Sequence, residues 1–348
     1  MGVWIGLFVT ITLALLGLIK KKSKYLLFLQ WSWIWLIQGF NRGGMDYHMN
    51  EFIYNNGGNP VEWLTYGIIK LFRLMGLDYM WYRLVWMTIG VIILYMIVKS
   101  YSQYPCLVMF PYVFFMLADN VAQCRFFWAY SLVLLSYHWY LQKRKIATII
   151  ILIIATGVHP SAFVFLILPF VYRFTKREFI VKNTIIICVG LLLLRYASFL
   201  LNGFGLSYAA EKLNAYINND NYSSVMVGAI FLCLYATLIA VSIYRIERHR
   251  SKNKFELYIL TLNKGSIFML PMLLINSNFG RFFRPIIFAD FVGLSNIKKS
   301  GWLFIESSNY TKAIYGLAFL AGIVLQSRAN FFAIDTLFNN NYLLMQLS

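Results

Sequence analysis

Apolar runs of about the length needed to cross a bilayer recur from one end of this chain to the other, separated by short basic clusters. No other feature restricts the possible folds as much. Backbone N–H and C=O groups in lipid must be satisfied internally, which leaves only helices and closed β-barrels. A barrel strand alternates apolar and polar positions, whereas these runs are apolar all round. They therefore predict helices near 3–19, 25–40, 79–98, 104–119, 126–141, 146–160, 161–174, 180–200, 223–244, 257–276, 285–297 and 312–326. The expected fold class is an all-α polytopic membrane protein with about 12 transmembrane helices. Composition agrees: charged residues are 13% of 348 positions and hydrophobic ones 60%. A soluble domain carries roughly 25% charged residues, so too little charge is present to coat a globule of this length.

The formal charge of +18 comes mostly from the short segments between runs, not from an arm that could grip nucleic acid, so no nucleic-acid partner is expected. Basic clusters stand at 20–24 (KKKSK), Lys99, 143–145 (KRK), 173–178 (RFTKRE), 244–254 (YRIERHRSKNK) and 298–300 (KKS). Positive residues collect in cytoplasmic loops. With the N-terminus outside, all six clusters fall on the inner side. The first run, Val3 to Ile19, is followed rather than preceded by lysines and lacks a small-residue cleavage site, so it predicts a retained anchor. The opposite face receives 41–60, 119–125, His159, 201–222, 277–284 and the C-terminal tail. No linker divides the chain, which predicts one integral membrane domain over 1–348. Its outer loops are expected near 41–78, 201–222 and 277–284, with a short outer tail at 327–348. The four cysteines lie in or beside apolar runs without metal-ligand spacing and read as small buried hydrophobes.

After Pro60, Trp63, Tyr66, Ile69, Leu71 and Leu74 are apolar while Glu62, Lys70 and Arg73 are polar. This periodicity predicts an amphipathic helix lying on the outer membrane surface. Ionisable groups at membrane depth are costly and point to function, and four outer places carry them. In 41–54, Arg42, Asp46, Tyr47, His48, Glu51 and Tyr54 crowd a loop that opens on Gly43 and Gly44, which let the backbone turn sharply. A carboxylate beside tyrosines suits gripping or deprotonating a sugar hydroxyl. In 119–130, Arg125 opens a helix on the face where topology needs no arginine. It either grips a phosphate bidentately or pairs with Asp119. His159 ends an apolar run at the outer face, as a structural residue, a base or a phosphate ligand. Arg281 and Arg284 stand three apart ahead of Pro285 at a helix start, where an anion is favoured. No DxD motif, HxxxH pair, Gly-rich nucleotide loop or GxSxG is present. These residues point to an anion presented from the membrane and bound by arginine, with no metal and no cofactor.

Together these residues resemble the Wzy-type polysaccharide polymerases, and within them the EpsG-like group. The resemblance rests on Asp46-Tyr47 with Tyr54, on Arg125-Phe126-Phe127-Trp128-Ala129 and the basic turn Lys143-Arg144-Lys145, on His159-Pro160-Ser161-Ala162, and on Gly280-Arg281 with Arg284. Their order and spacing match over roughly residues 40–290. Cys124 precedes Arg125 where a glutamine is common. The resemblance implies a metal-independent glycosyltransferase of GT-C-like fold in the bacterial cytoplasmic (inner) membrane, with its active site facing the periplasm or exterior. It implies undecaprenyl-diphosphate-linked oligosaccharide as substrate, and transfer of the growing glycan en bloc to the non-reducing end of a lipid-linked repeat unit. A chain-length regulator is implied as partner besides the lipid bilayer. In that chemistry Arg125, Arg281 and Arg284 hold the diphosphate and Asp46 or His159 serves as base. Tyr47, Tyr54 and Arg42 contact sugar. Two other readings stay open at this stage, a different lipid-linked-sugar glycosyltransferase or ligase, and a polysaccharide flippase or transporter.

Overall fold

The computed structural model describes residues 2–43, 45–166, 222–248, 253–275, 277–296 and 335–346, with isolated positions between 201 and 214. The expected helices at 180–200 and 312–326, most of 161–174 and most of the 201–222 loop lie outside them. So do the basic clusters at 173–178 and 298–300. Among the described residues the secondary structure is helical, apart from one isolated bridge between Asn41 and Asn341.

Helices α1 (Gly2–Ile19), α2 (Lys24–Gly39), α3 (Met45–Asn55), α4 (Trp63–Leu74) and α5 (Tyr79–Tyr101) come first. A composite helix α6 covers Pro105–Ala122. It opens as a 3-10 turn and passes through a π segment at Val113–Leu117. Then come α7 (Cys124–Leu141) and α8 (Lys145–Val158). Later in the chain are α9 (Tyr222–Arg248), α10 (Lys254–Ser266), α11 (Met272–Ile275), α12 (Arg284–Leu294) and the short α13 (Tyr342–Met345). Four stretches among the described residues are long and apolar enough to cross a membrane: Gly2–Ile19, Tyr79–Tyr101, Pro105–Ala122 and Gly228–Glu247. Helix α8 is apolar but shorter, and α2, with 16 residues, is shorter too. Two expectations change. The run 257–276 is not one helix but α10, a 3-10 turn and α11 in succession. The segment 41–54, expected as a loop, is largely helix α3.

The described residues group into two compact units, one of residues 1–166, 253–255 and 288–348, the other of 167–252 and 256–287. In the first, α1 buries a stripe of small residues, Gly2, Gly6, Thr10, Ala14 and Gly17. Close backbone approach of this kind is how helices associate where lipid removes the hydrophobic drive. The opposite side of α1 exposes Trp4 and Phe8, and α8 exposes Ile146, Ile149, Ile150 and Ile153. Apolar exposure of this extent suits lipid as solvent. A recess of about 400 Å³ opens between α2 and α5 beside Trp31, Trp35, Val91 and Tyr95.

Polar contacts sort this unit into two ends. At one, the Cys106 N–H donates to the Lys21 carbonyl (3.2 Å), and Lys22 lies 5.0 Å from the Tyr104 ring centre. Tyr101, near Lys99, meets His138 Nδ1 at 2.9 Å, one turn before the KRK segment. The basic clusters at 20–24, 99 and 143–145 therefore share an end, as the charge pattern predicts. The other end gathers the C-terminus of α2, α3, α4, the α6–α7 turn and His159. In the second unit α9 packs on α11 and the 3-10 turn 277–283. There the Tyr235 and Phe283 rings stack at 5.0 Å, and Lys264 pairs with Glu247 at 2.7 Å.

Candidate active site

Arg125 is the second residue of α7, directly after the tight turn at Gln123 (φ −100°, ψ 57°) that closes α6. The turn is held from below. The Asn120 side chain is buried and donates to the hydroxyls of Tyr112 (2.9 Å) and Tyr130 (2.7 Å). Gln38 donates to the same Tyr112 oxygen at 2.6 Å. With its start so fixed, α7 presents the Arg125 guanidinium to Glu62. Arg125 Nη1 lies 2.8 Å from Glu62 Oε1, with side-chain exposures of 26% and 7%. The expected alternative partner was Asp119, and the correction is physical: Glu62 reaches Arg125 because α4 folds back over α8.

Glu62 stands at the N-cap position of α4 but makes no capping hydrogen bond there. Its carboxylate turns instead into the protein, in line with Thr65 and Ile69, which are also buried. These three positions, i, i+3 and i+7, form one helix face. The outer side of α4 exposes Leu71, Leu74 and Met75, so the expected amphipathic helix exists, with Glu62 on its packed side rather than its polar one. Trp63 lies against Gly157 of α8, where a Cβ would run into the indole. Two residues on, His159 caps α8 and starts the 3-10 turn Pro160–Phe163. Its Nδ1 accepts the Ser161 N–H at 3.2 Å, so the neutral ring carries its proton on Nε2. Its ring meets Phe126, the neighbour of Arg125, edge-on at 5.7 Å.

Helix α3 reaches the same place from the other side. The Asn50 amide lies 3.3 Å from the Cys124 sulfur, one residue from Arg125. Asp46 is four residues before Asn50, hence on the same helix face. It is exposed, in the first turn, where the helix dipole favours a carboxylate. Tyr47 and Tyr54 are buried, at 7% and 2% exposure. Tyr54 donates to the Leu77 carbonyl at 2.6 Å, and both rings pack on Tyr79. Burial, then the Glu51 carboxylate, pushes the Tyr47 phenol above its ordinary pKa, and burial with Asp78 does the same for Tyr54. Both are neutral at physiological pH. His48 and Glu51 are surface residues 3.8 Å apart.

Arg83 is a residue the sequence did not single out. Only 1% exposed, it donates to the carbonyls of Gln38 (2.8 Å), Gly39 (3.3 Å), Asn41 (2.6 Å) and Val121 (3.4 Å). It thereby ties the end of α2 to the turn ahead of Arg125, with the Tyr47 ring 5.8 Å away. Only its place near the end of an otherwise apolar run could have flagged it. The C-terminal segment closes the far side. The Arg42 N–H donates to the Asn340 carbonyl (2.8 Å), the Tyr342 N–H to that of Phe40 (2.9 Å), and the Arg42 guanidinium lies over the Tyr342 ring at 4.1 Å. Gly43 is close-packed against the Asn340 side chain. Its role is to admit a neighbour, not to turn the chain through positive φ.

Structure therefore brings Arg125, His159, Asp46, Tyr47, Tyr54 and Arg42 to one end of the first unit. Arg281 and Arg284 belong to the second. Arg284 begins α12 and is buried, whereas Arg281 is half-buried and donates through Nε to the Asn278 carbonyl at 2.8 Å. Among the described residues no three His, Cys, Asp or Glu side chains gather in a way that could hold a metal.

The EpsG family model matches residues 8–339, nearly the whole chain, and includes Arg42, Asp46, Tyr47, Tyr54, Glu62, Arg125 and His159. The chain belongs to the EpsG family. No curated protein and no solved structure matches it significantly. For an EpsG family member, apolar helices and a polar cluster at one end fit a membrane protein of polysaccharide biosynthesis.

Proposed function

We propose that this EpsG family protein is a Wzy-type polymerase of undecaprenyl-diphosphate-linked oligosaccharide repeat units. It moves the growing glycan en bloc from its lipid diphosphate to the non-reducing end of a single lipid-linked repeat, releasing undecaprenyl diphosphate, without a metal. The observation that carries this reading is the setting of Arg125. A guanidinium is held by Glu62 at a helix start, one residue from the Phe126 ring that meets His159, at the end of the unit away from the basic turns.

Cleaving a sugar–diphosphate bond builds negative charge on the leaving oxygen, and fixed donors aimed at that charge are the most effective catalysts of such a step. Arg125 is proposed to fill this role, with His159, whose ring meets the neighbouring Phe126, as a second candidate. Arg281 and Arg284 are proposed as further diphosphate ligands. The acceptor hydroxyl is proposed to give its proton to Asp46, a carboxylate exposed in the first turn of α3. Arg42 is proposed to contact sugar, with Tyr47 and Tyr54 backing that surface. The fold is proposed to be GT-C-like with about 12 membrane helices, in the bacterial cytoplasmic membrane with the site facing the periplasm or exterior, and with a chain-length regulator as partner.

The test is polymer length in cells carrying Arg125→Ala, Arg281→Ala or Arg284→Ala at unchanged protein level. Each should lose long-chain polymer and accumulate single-repeat material. Normal length ladders in all three would remove the arginines from the mechanism.

A further inference from the structure

We propose that Glu62 is the specificity residue of the Arg125 anion site: it occupies the guanidinium when no donor is bound, and only a diphosphate displaces it. The inference rests on the reading of Arg125 as a diphosphate ligand and extends it to how the site excludes other lipids. Carboxylate and phosphate oxygens take the same guanidinium N–H groups, and Glu62 holds Nη1, so a headgroup that needs the full fork of Arg125 must displace the carboxylate. The carboxylate contact is close, 2.8 Å, and largely out of water. Glu62 has given up capping its own helix to make it.

A membrane-surface arginine is surrounded by phospholipid phosphodiesters, each with one negative charge. A bare Arg125 would collect them. Paired with Glu62 it is already neutralised, and a ligand must out-compete a carboxylate that is fixed in place. A lipid diphosphate carries more charge and more acceptor oxygens and can do so.

Exchange also needs room for Glu62 to leave, and α4 is built to give it. The helix is preceded by Gly57 (φ 91°) and Gly58 (φ 92°) and followed by Gly76 (φ 70°), left-handed positions that suit only glycine. It is seated through its first turn, Trp63 on Gly157, and through Thr65 and Ile69, while Leu71 and Leu74 on its outer side are exposed. Lifting that first turn withdraws Glu62 from Arg125 and Trp63 from Gly157 in one movement.

The experiment measures binding of undecaprenyl diphosphate and of phosphatidylglycerol to the full chain in detergent, for wild type, Glu62→Gln and Arg125→Ala. Wild type should bind the diphosphate and discriminate strongly against phosphatidylglycerol. Glu62→Gln should bind the diphosphate about tenfold tighter, and phosphatidylglycerol should gain more, so that discrimination falls. Equal affinities and equal discrimination in Glu62→Gln and wild type would overturn the role of Glu62 while leaving Arg125 intact. Undiminished binding of undecaprenyl diphosphate in Arg125→Ala would instead sink the reading on which it rests.

Should Glu62→Gln fail to fold, an environment-sensitive dye on Val61→Cys, with Cys188 and Cys233 replaced by serine, reads the same event. Undecaprenyl diphosphate should shift its emission, and phosphatidylglycerol should not. An unchanged signal with bound diphosphate would contradict displacement of the α4 first turn.

Discussion

Arg125 and Arg83 are both arginines at helix ends in an apolar chain, yet their surroundings assign them different work. Arg125 keeps a quarter of its side chain exposed and has one carboxylate partner. Arg83 is sealed among four carbonyls. Arg125→Lys retains the charge but loses the planar fork, so it should keep folding and lose most polymerising activity, measured as repeat units joined per unit time. Arg83→Ala leaves buried carbonyls without donors and should destabilise the protein by about 3 kcal/mol, measured as a lowered unfolding midpoint in detergent. Arg83→Lys should recover part of that loss, because an ammonium reaches fewer of the four carbonyls. Sequence gave little access to either environment. Arg125 was legible as an arginine that topology does not require, but Asp119 was the partner in view because it is six residues away. Glu62 is 63 residues away in sequence, and only the fold-back of α4 brings it there.

Periodicity and hydropathy made the elements far more legible than their partners. The ends of α1, α2, α5, α7, α8 and α9 fall within a few residues of the apolar runs that predicted them. The misses share a cause, which is that composition reports what an element is immersed in and not what it packs on. Helix α3 was hidden because a polar helix against a protein wall reads as loop. The irregular α6 was hidden because 3-10 and π turns leave an apolar run apolar. Helix α4 was recognised, but its packed face was misplaced by assuming that Glu62 faced water. Its seat can be tested directly. Gly157→Val puts branched bulk where Trp63 lies and should cost about 1–3 kcal/mol by overpacking. Activity should fall more than stability does, because Glu62 and His159 are displaced together. A variant with wild-type turnover would show that the seat of α4 is irrelevant to the chemistry.

Across the molecule, the first unit separates its basic clusters from the candidate site. Three basic clusters share one end, and Arg125, His159 and Asp46 share the other. The alternation of basic loops in the sequence anticipated this separation, because positive residues resist translocation whatever the fold does around them. Which end is outside can be read by labelling. A membrane-impermeant maleimide should modify His48→Cys in intact cells, and Lys143→Cys only after permeabilisation. The reverse pattern would place the site in the cytoplasm. The central claim is that arginine, not metal, drives transfer between two lipid-linked glycans. Its most direct test is the purified protein with a synthetic undecaprenyl-diphosphate repeat unit in excess EDTA, read as a chain-length ladder. The account requires a ladder that survives chelation and disappears in Arg125→Ala. A ladder that needs added metal, or movement of the intact lipid across a bilayer with no new glycosidic bond, would contradict it.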